Sequence, residues 1–311
     1  MAGVFAVTKR ILLKLEFCGT NFCGWQLQSE SPESTAKHSL QYHVEMAVAT
    51  ALGRHGERHP VQGCGRTDSG VHALEYFCHF DVHQDLEPRV QNLQKFAHAL
   101  SGILPRGISA LAAFEVPRDF HALKSATLKV YEYRLFLRNE SPTVNADFMY
   151  WLAAEIDAPA GRRGFDFAAF SRATRHFVGT HDFAALASAG SEIKNTVRTI
   201  SKIEIIREKF PHLDSKGDLV RIRFWGNGFL KQMVRNMVGT LIEVGIGRRN
   251  GDSVPQLLVT RQSVRKDAGV CAAAPGLFLS RVFYEHAQNP IPVAAPFTNS
   301  PTLSHEVFES S

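Results

Sequence analysis

The feature that most constrains this fold is a repeated change of hydrophobic period. Arg10–Phe17 alternates every second residue, with Ile11, Leu13, Leu15 and Phe17 on one side and Leu12, Lys14 and Glu16 on the other. That is the spacing of a strand with one buried face. Ser39–Leu52 instead repeats at helical spacing through Leu40, Val44, Ala47, Val48 and Ala51, with Gly53 as its stop. A strand pair around residues 60–82, a helix from Pro88 to Ser101 and strands at Ile108–Val116 and Thr127–Arg138 follow. Thr196–Arg207 and Leu219–Trp225 read as paired strands, Phe229–Gly245 as a helix and Leu277–Tyr284 as a further strand. The elements mix without a single βαβ rhythm. This predicts an α+β fold of two related halves, residues 1–110 and 111–286, whose antiparallel or mixed sheets meet at a central cleft. From Ala287 the chain turns to Pro, Ser, Thr and Asn without an apolar period, and residues 287–311 read as a disordered tail.

The 311 residues suffice for two ordinary domains, and the net charge of +5 is compatible with a polyanionic partner. Five cysteines without close pairing argue against a disulfide framework and for a reducing compartment. Cys64, His72, Cys78 and His79 are residue types that bind zinc, but their spacing fits buried core positions better, so no metal is expected. No apolar run reaches membrane-span length, and Lys14 and Glu16 interrupt any signal-peptide core; a cytoplasmic protein is expected. Neither GxxxxGK[ST] nor GxGxxG after a strand is present, so no nucleotide cofactor is implied, and no GxSxG elbow marks a serine hydrolase.

Chemistry concentrates in three segments. Gly65-Arg66-Thr67-Asp68-Ser69-Gly70-Val71-His72-Ala73 places an aspartate beside an arginine on a loop whose glycines allow tight turns and close approach to a ligand. A carboxylate there suits an ionised nucleophile; the plain alternative is a surface turn with capping residues. Tyr131 and Tyr133 share one face of their strand, either as core aromatics or with one of them beside a reacting base. Lys231 and Arg235 share a face of the Phe229–Gly245 helix, apart from the buried stripe of Leu230, Val234, Met237, Leu241 and Val244. That face is either solvated or turned to an acidic partner.

GRTDSGVHA resembles the GRTDAGVHA signature of the TruA family of tRNA pseudouridine synthases, with Ser69 in place of the usual alanine. FHALKSATLKVYEY resembles the family's FHA…SAT…KxYxY pattern, with Leu123 where arginine is frequent. GNGFLKQMVRNMVGTLIEVG is similar to its GNxFLxxMVRNxVGxLxxVG helix. Shorter matches at Cys18–Gln28, Gly179–Phe183, Thr196–Ile200 and Ala274–Leu279 keep the family's order. The resemblance implies a catalytic, RNA-binding cleft between the halves. It makes Asp68 the catalytic residue, Arg235 its partner and Tyr131 the platform under the uracil. Arg66, Lys124, Lys129 and Lys231 become candidate RNA contacts, with Lys9 and Arg10 among further basic residues along an RNA path. It also implies tRNA as substrate, at uridines 38–40 of the anticodon arm, a homodimer, and no cofactor. Two other classes stay open: a non-catalytic RNA-binding protein of the same fold, and a glycoside hydrolase. The hydrolase would need a second carboxylate, for which Glu75 is the nearest in sequence.

Overall fold

The computed structural model describes residues 7–27, 39–156, 158, 163–188, 195–209, 217–259, 264–285 and 302–310. The chain forms two compact units: Met1–Thr127 with Leu279–Ala295, and Leu128–Phe278 with Pro296–Ser311. In chain order the elements are β1 (Val7–Phe17), α1 (Leu40–Ala51), β2 (Gln62–Gly63), β3 (His72–His83), α2 (Leu93–Ile103), β4 (Ile108–Val116) and β5 (Ala126–Leu137). Then come β6 (Tyr150–Leu152), β7 (Glu155–Ile156), β8 (Gly164–Phe165), α3 (Phe167–Thr174), β9 (Gly179–Asp182), β10 (Val197–Lys209) and β11 (Asp218–Gly226). The last are α4 (Met233–Gly245), β12 (Leu277–Tyr284) and β13 (Thr302–Glu309). The α+β class stands.

In the first unit the strands lie in the order β12-β3-β1-β4, and β2 also pairs with β3. β1 is antiparallel to both β3 and β4. Because β4 is a direct partner of β1, the division of the chain comes after β4, at Thr127, and not at the expected residue 110. One face of β1 behaves as its alternation predicts: Ile11 lies opposite Phe80, whose ring is 5.9 Å from Phe96 of α2. Leu12, expected on the exposed side, is fully buried. The loop between β4 and β5 is tied to residues of that second face: Arg10 Nη1 donates to the Phe120 carbonyl at 2.7 Å, and the Ala122 amide donates to His79 Nδ1 at 3.2 Å.

The second unit has the order β13-β10-β11-β5, antiparallel throughout, with β9 beside β10 and β6 parallel to β5. Val220, Ile222 and Phe224 alternate along β11 and are fully buried, as are Met237 and Leu241 of α4. The opposite row is ionic: Arg223 reaches Glu132 at 2.7 Å and Glu204 at 3.5 Å. Burial alone would raise the Glu132 carboxyl, but the Arg134 and Arg223 guanidinia more than offset that and hold it below its usual range.

Two expectations need correction here. Residues 302–309 of the presumed tail form β13, because they supply the extended backbone that pairs with Lys202–Glu208; residues 286–301 and 311 lie outside the described residues. The predicted helix at Phe229 starts only at Met233. Gln232 takes a left-handed φ of 62°, which stops the helix from running back through Lys231.

Among the described residues, no helix is long and apolar enough to cross a membrane. Gly239 in α4 is required by close approach, since a Cβ there would stand 1.6 Å from the Val270 carbonyl oxygen. Gly239→Ala is expected to lower stability by at least about 2 kcal/mol, as read by urea denaturation, because backbone and not a flexible side chain would have to move.

Candidate active site

In the first unit, the loop that joins β2 to β3 carries Arg66 and Asp68. Three contacts fix it from the side of Gly19–Trp25. The Trp25 amide donates to the Thr67 carbonyl at 3.1 Å, Ser69 Oγ donates to the Phe22 carbonyl at 3.2 Å, and the Gly19 amide donates to His72 Nδ1 at 3.1 Å. Gly24 has φ +97°, and a Cβ on it would come within 2.5 Å of the Thr67 carbonyl. From the other side, buried Tyr76 donates its hydroxyl to the Gly65 carbonyl at 2.5 Å and lies 4.2 Å from the Trp25 ring, centroid to centroid. A Cβ at Gly63 would collide with both rings. The Val71 amide closes the turn on the Asp68 carbonyl at 3.1 Å. Asp68 is half-buried and Arg66 exposed.

In the second unit, Tyr131 and Tyr133 lie on the same face of β5, opposite Phe224 and Ile222. They have different fates. Tyr133 is fully buried, donates to the Ala273 carbonyl at 2.8 Å, and has its phenol pushed well up by burial. Tyr131 keeps 9% exposure, with the Phe229 ring edge-on at 5.0 Å. Lys129 follows the same alternation, half-buried. Arg235, half-buried on α4, donates from Nε to the Ala272 carbonyl at 2.7 Å, while its own carbonyl accepts from the Ala272 amide at 3.1 Å. Lys231 is exposed just before the helix rather than on it. Thus Asp68, Arg66 and Lys124 belong to the first unit, and Tyr131, Lys129, Lys231 and Arg235 to the second.

A family model described as tRNA pseudouridine synthase matches residues 173–285. tRNA pseudouridine synthase A 2 of Clostridium tetani is 34% identical over 278 residues, covering 89% of this chain and all of that protein. tRNA pseudouridine synthase A of Maridesulfovibrio salexigens is 35% identical over 276 residues, covering 89% of this chain and 90% of its own. The chain belongs to the TruA family of tRNA pseudouridine synthases.

As a member of this isomerase family, the chain shows several supports that its motifs alone did not mark. Tyr76 and Trp25 brace the aspartate loop: Tyr76 lies on the strand after it, and Trp25 lies in the matched segment Cys18–Gln28 without an assigned role. Ser69 makes a hydrogen bond that the family's usual alanine could not make. Arg10, a candidate for the RNA path, is instead bound bidentately by Asp81 at 2.7 and 2.8 Å; Lys9 pairs with Glu115 at 2.9 Å. Glu75 is neither solvated nor available as a second acid. It is buried, paired with Lys14 at 2.7 Å, and accepts from the Val282 amide at 3.1 Å. Cys64 and Cys78 are fully buried, and burial pushes the Cys78 thiol well up.

Lys124 and Leu123 are exposed on the loop after β4. Besides its bonds to Arg10 and His79, this loop accepts at the Ala122 carbonyl from Tyr284 at 2.8 Å. His79 is buried 4.9 Å from the His121 ring, centroid to centroid. Burial, with smaller contributions from Arg10 and His121, lowers its imidazole to about 4.

Two outcomes are expected. A histidine held neutral in the fold, below its usual pKa of about 6.5, stabilises fully above that value and progressively less as the pH falls toward its folded value. Melting temperature should therefore drop between about pH 6.5 and 4, and less steeply in His79→Gln. Tyr76→Phe, which removes the donor to Gly65, should cut single-turnover rate roughly tenfold through loop misplacement while tRNA affinity stays within twofold.

Proposed function

We propose that the protein isomerises uridine to pseudouridine in the anticodon arm of tRNA, at uridines 38–40, with Asp68 as the nucleophile. The reaction breaks the bond from uracil N1 to ribose C1′, turns the base and rejoins it through C5. N1 gains a proton, C5 loses one, and no oxidation state changes. The target uridine must first leave its stack, at a cost of a few kcal/mol.

The observation that carries this reading is the immobilised loop of Asp68, fixed by backbone contacts from Gly24–Trp25 and by Tyr76, in a chain of this family. A nucleophile fixed before substrate arrives needs little further ordering at the moment of attack. Tyr131 receives the uracil on its exposed part and takes the C5 proton late in the reaction. Its near neighbour Tyr133, fully buried, takes no part. Arg235 braces the Asp68 carboxylate with a guanidinium already oriented by Ala272. Arg66 occupies the gap left by the extruded base, and Lys124, Lys129 and Lys231 contact phosphate. The enzyme works in the cytoplasm as a homodimer, both subunits engaging one tRNA.

Wild-type protein is expected to release tritium from 5-tritiated uridine in tRNA, while Asp68→Asn binds tRNA and releases none. Equal release by both would remove Asp68 from the mechanism; no release by wild type on any tRNA would favour a non-catalytic RNA-binding protein. Arg235→Leu should lower turnover at least a hundredfold with binding changed less than threefold. Mapping pseudouridine in tRNA from cells with and without the protein tests the assignment to positions 38–40.

A further inference from the structure

The segments Gly179–Phe183 and Thr196–Ile200 match the family's pattern, yet none of their residues has a role in the scheme above. They form β9 and the start of β10, where Arg198 pairs across the strands with His181. Arg198 is half-buried as a residue. Its Nη1 donates to the carbonyls of Asn195 at 3.0 Å and Val197 at 2.6 Å, which fixes the plane of the group. Among the described residues no carboxylate pairs with it, and its Nε and Nη2 have no hydrogen-bond partner. A partly desolvated cation without a counter-charge is costly to keep, unless a ligand supplies the charge.

Nε and Nη2 form the side-on fork of a guanidinium, the edge that matches two oxygens of a carboxylate or phosphate. Arg10 uses this same edge to hold Asp81. Beside the Arg198 fork lies Gly228; a Cβ there would stand 3.6 Å from Nε, so a longer side chain would cover that edge. The turn containing Gly228 is rigid, since Asn227 exchanges two bonds with Thr199, each at 3.1 Å. Its next residue is Phe229, which contacts Tyr131. A Cβ on Gly226 would collide with the Phe229 ring at 2.8 Å, so the turn also sets the position of that ring.

We propose that Arg198 binds a phosphodiester of the tRNA strand, next to the nucleotide whose base lies on Tyr131. The site rests on the reading of the protein as a tRNA-modifying enzyme. It takes a phosphate through the Nε and Nη2 donors, with Gly228 leaving room for the oxygens.

The test is tRNA affinity as a function of salt, with kcat and KM for pseudouridine formation. Arg198→Ala should raise Kd and KM about tenfold, change kcat less than twofold, and reduce the slope of log Kd against log salt by about 0.7–0.9. Arg198→Lys should restore the slope but only part of the affinity, because it keeps the charge and loses the fork. Gly228→Asp, which leaves Arg198 intact and places a carboxylate at the fork, should reproduce the alanine phenotype. An unchanged salt slope in Arg198→Ala and Gly228→Asp, in folded protein, would overturn the proposal. The slope is measured on binding alone, so it reads the site even if wild-type protein releases no tritium, the result that would sink the activity itself.

Discussion

Backbone meets backbone around Asp68 at distances that exclude a side chain. Thr67 offers its carbonyl to Trp25 while Gly24 presses against the same group, and Gly63 leaves room for the mutually tilted rings of Trp25 and Tyr76. These contacts join Gly24–Trp25 to the loop and strand about forty residues later in the chain. A loop secured this way loses little entropy when substrate binds, so its order is established during folding. Ser69 adds one further tie to Phe22.

The second unit shows how one strand supplies two tyrosines for different ends. Tyr133 is sealed in, with its hydroxyl on Ala273 and Gly276 packed closely on its ring; a Cβ at Gly276 would stand 2.8 Å from that ring. Ala272, the neighbouring residue, holds Arg235 at both its amide and carbonyl. The segment before β12 therefore orders a core phenol and a candidate catalytic guanidinium together. Tyr131, with Phe229 at its edge, keeps 9% of its surface exposed.

The element order was legible because strand and helix periods are distinct: Ile108–Val116 and Leu277–Tyr284 form strands with the predicted bounds. Local pattern did not reveal the other side of β1. Lys14 and Glu16 suggest a solvated face, whereas Leu12 is fully buried, and Arg10, two residues before it, is bound to the Phe120 carbonyl from the loop after β4. The spacing of Lys231 to Arg235 is helical, but the reversal at Gln232, which keeps Lys231 off the helix, leaves no periodic trace. The division at Thr127 was hidden for a similar reason, since the pairing of β4 with β1 is non-local. Residues 302–309 lack the apolar alternation of a strand with one buried face, and their order comes from backbone pairing. Motifs mark Asp68, Tyr131 and Arg235 as candidates in their separate units. The groups that hold them are apolar rings, carbonyls and glycines, and their importance is visible only in contact.

β13 has a consequence for how the molecule meets other copies of itself. Without it, the outer side of β10 from Lys202 to Glu208 would present a row of amides and carbonyls ready to add a foreign strand. A segment with little apolar content covers that row and carries Glu306 and Glu309 into it, so the sheet ends in charge instead of in a template for polymerisation.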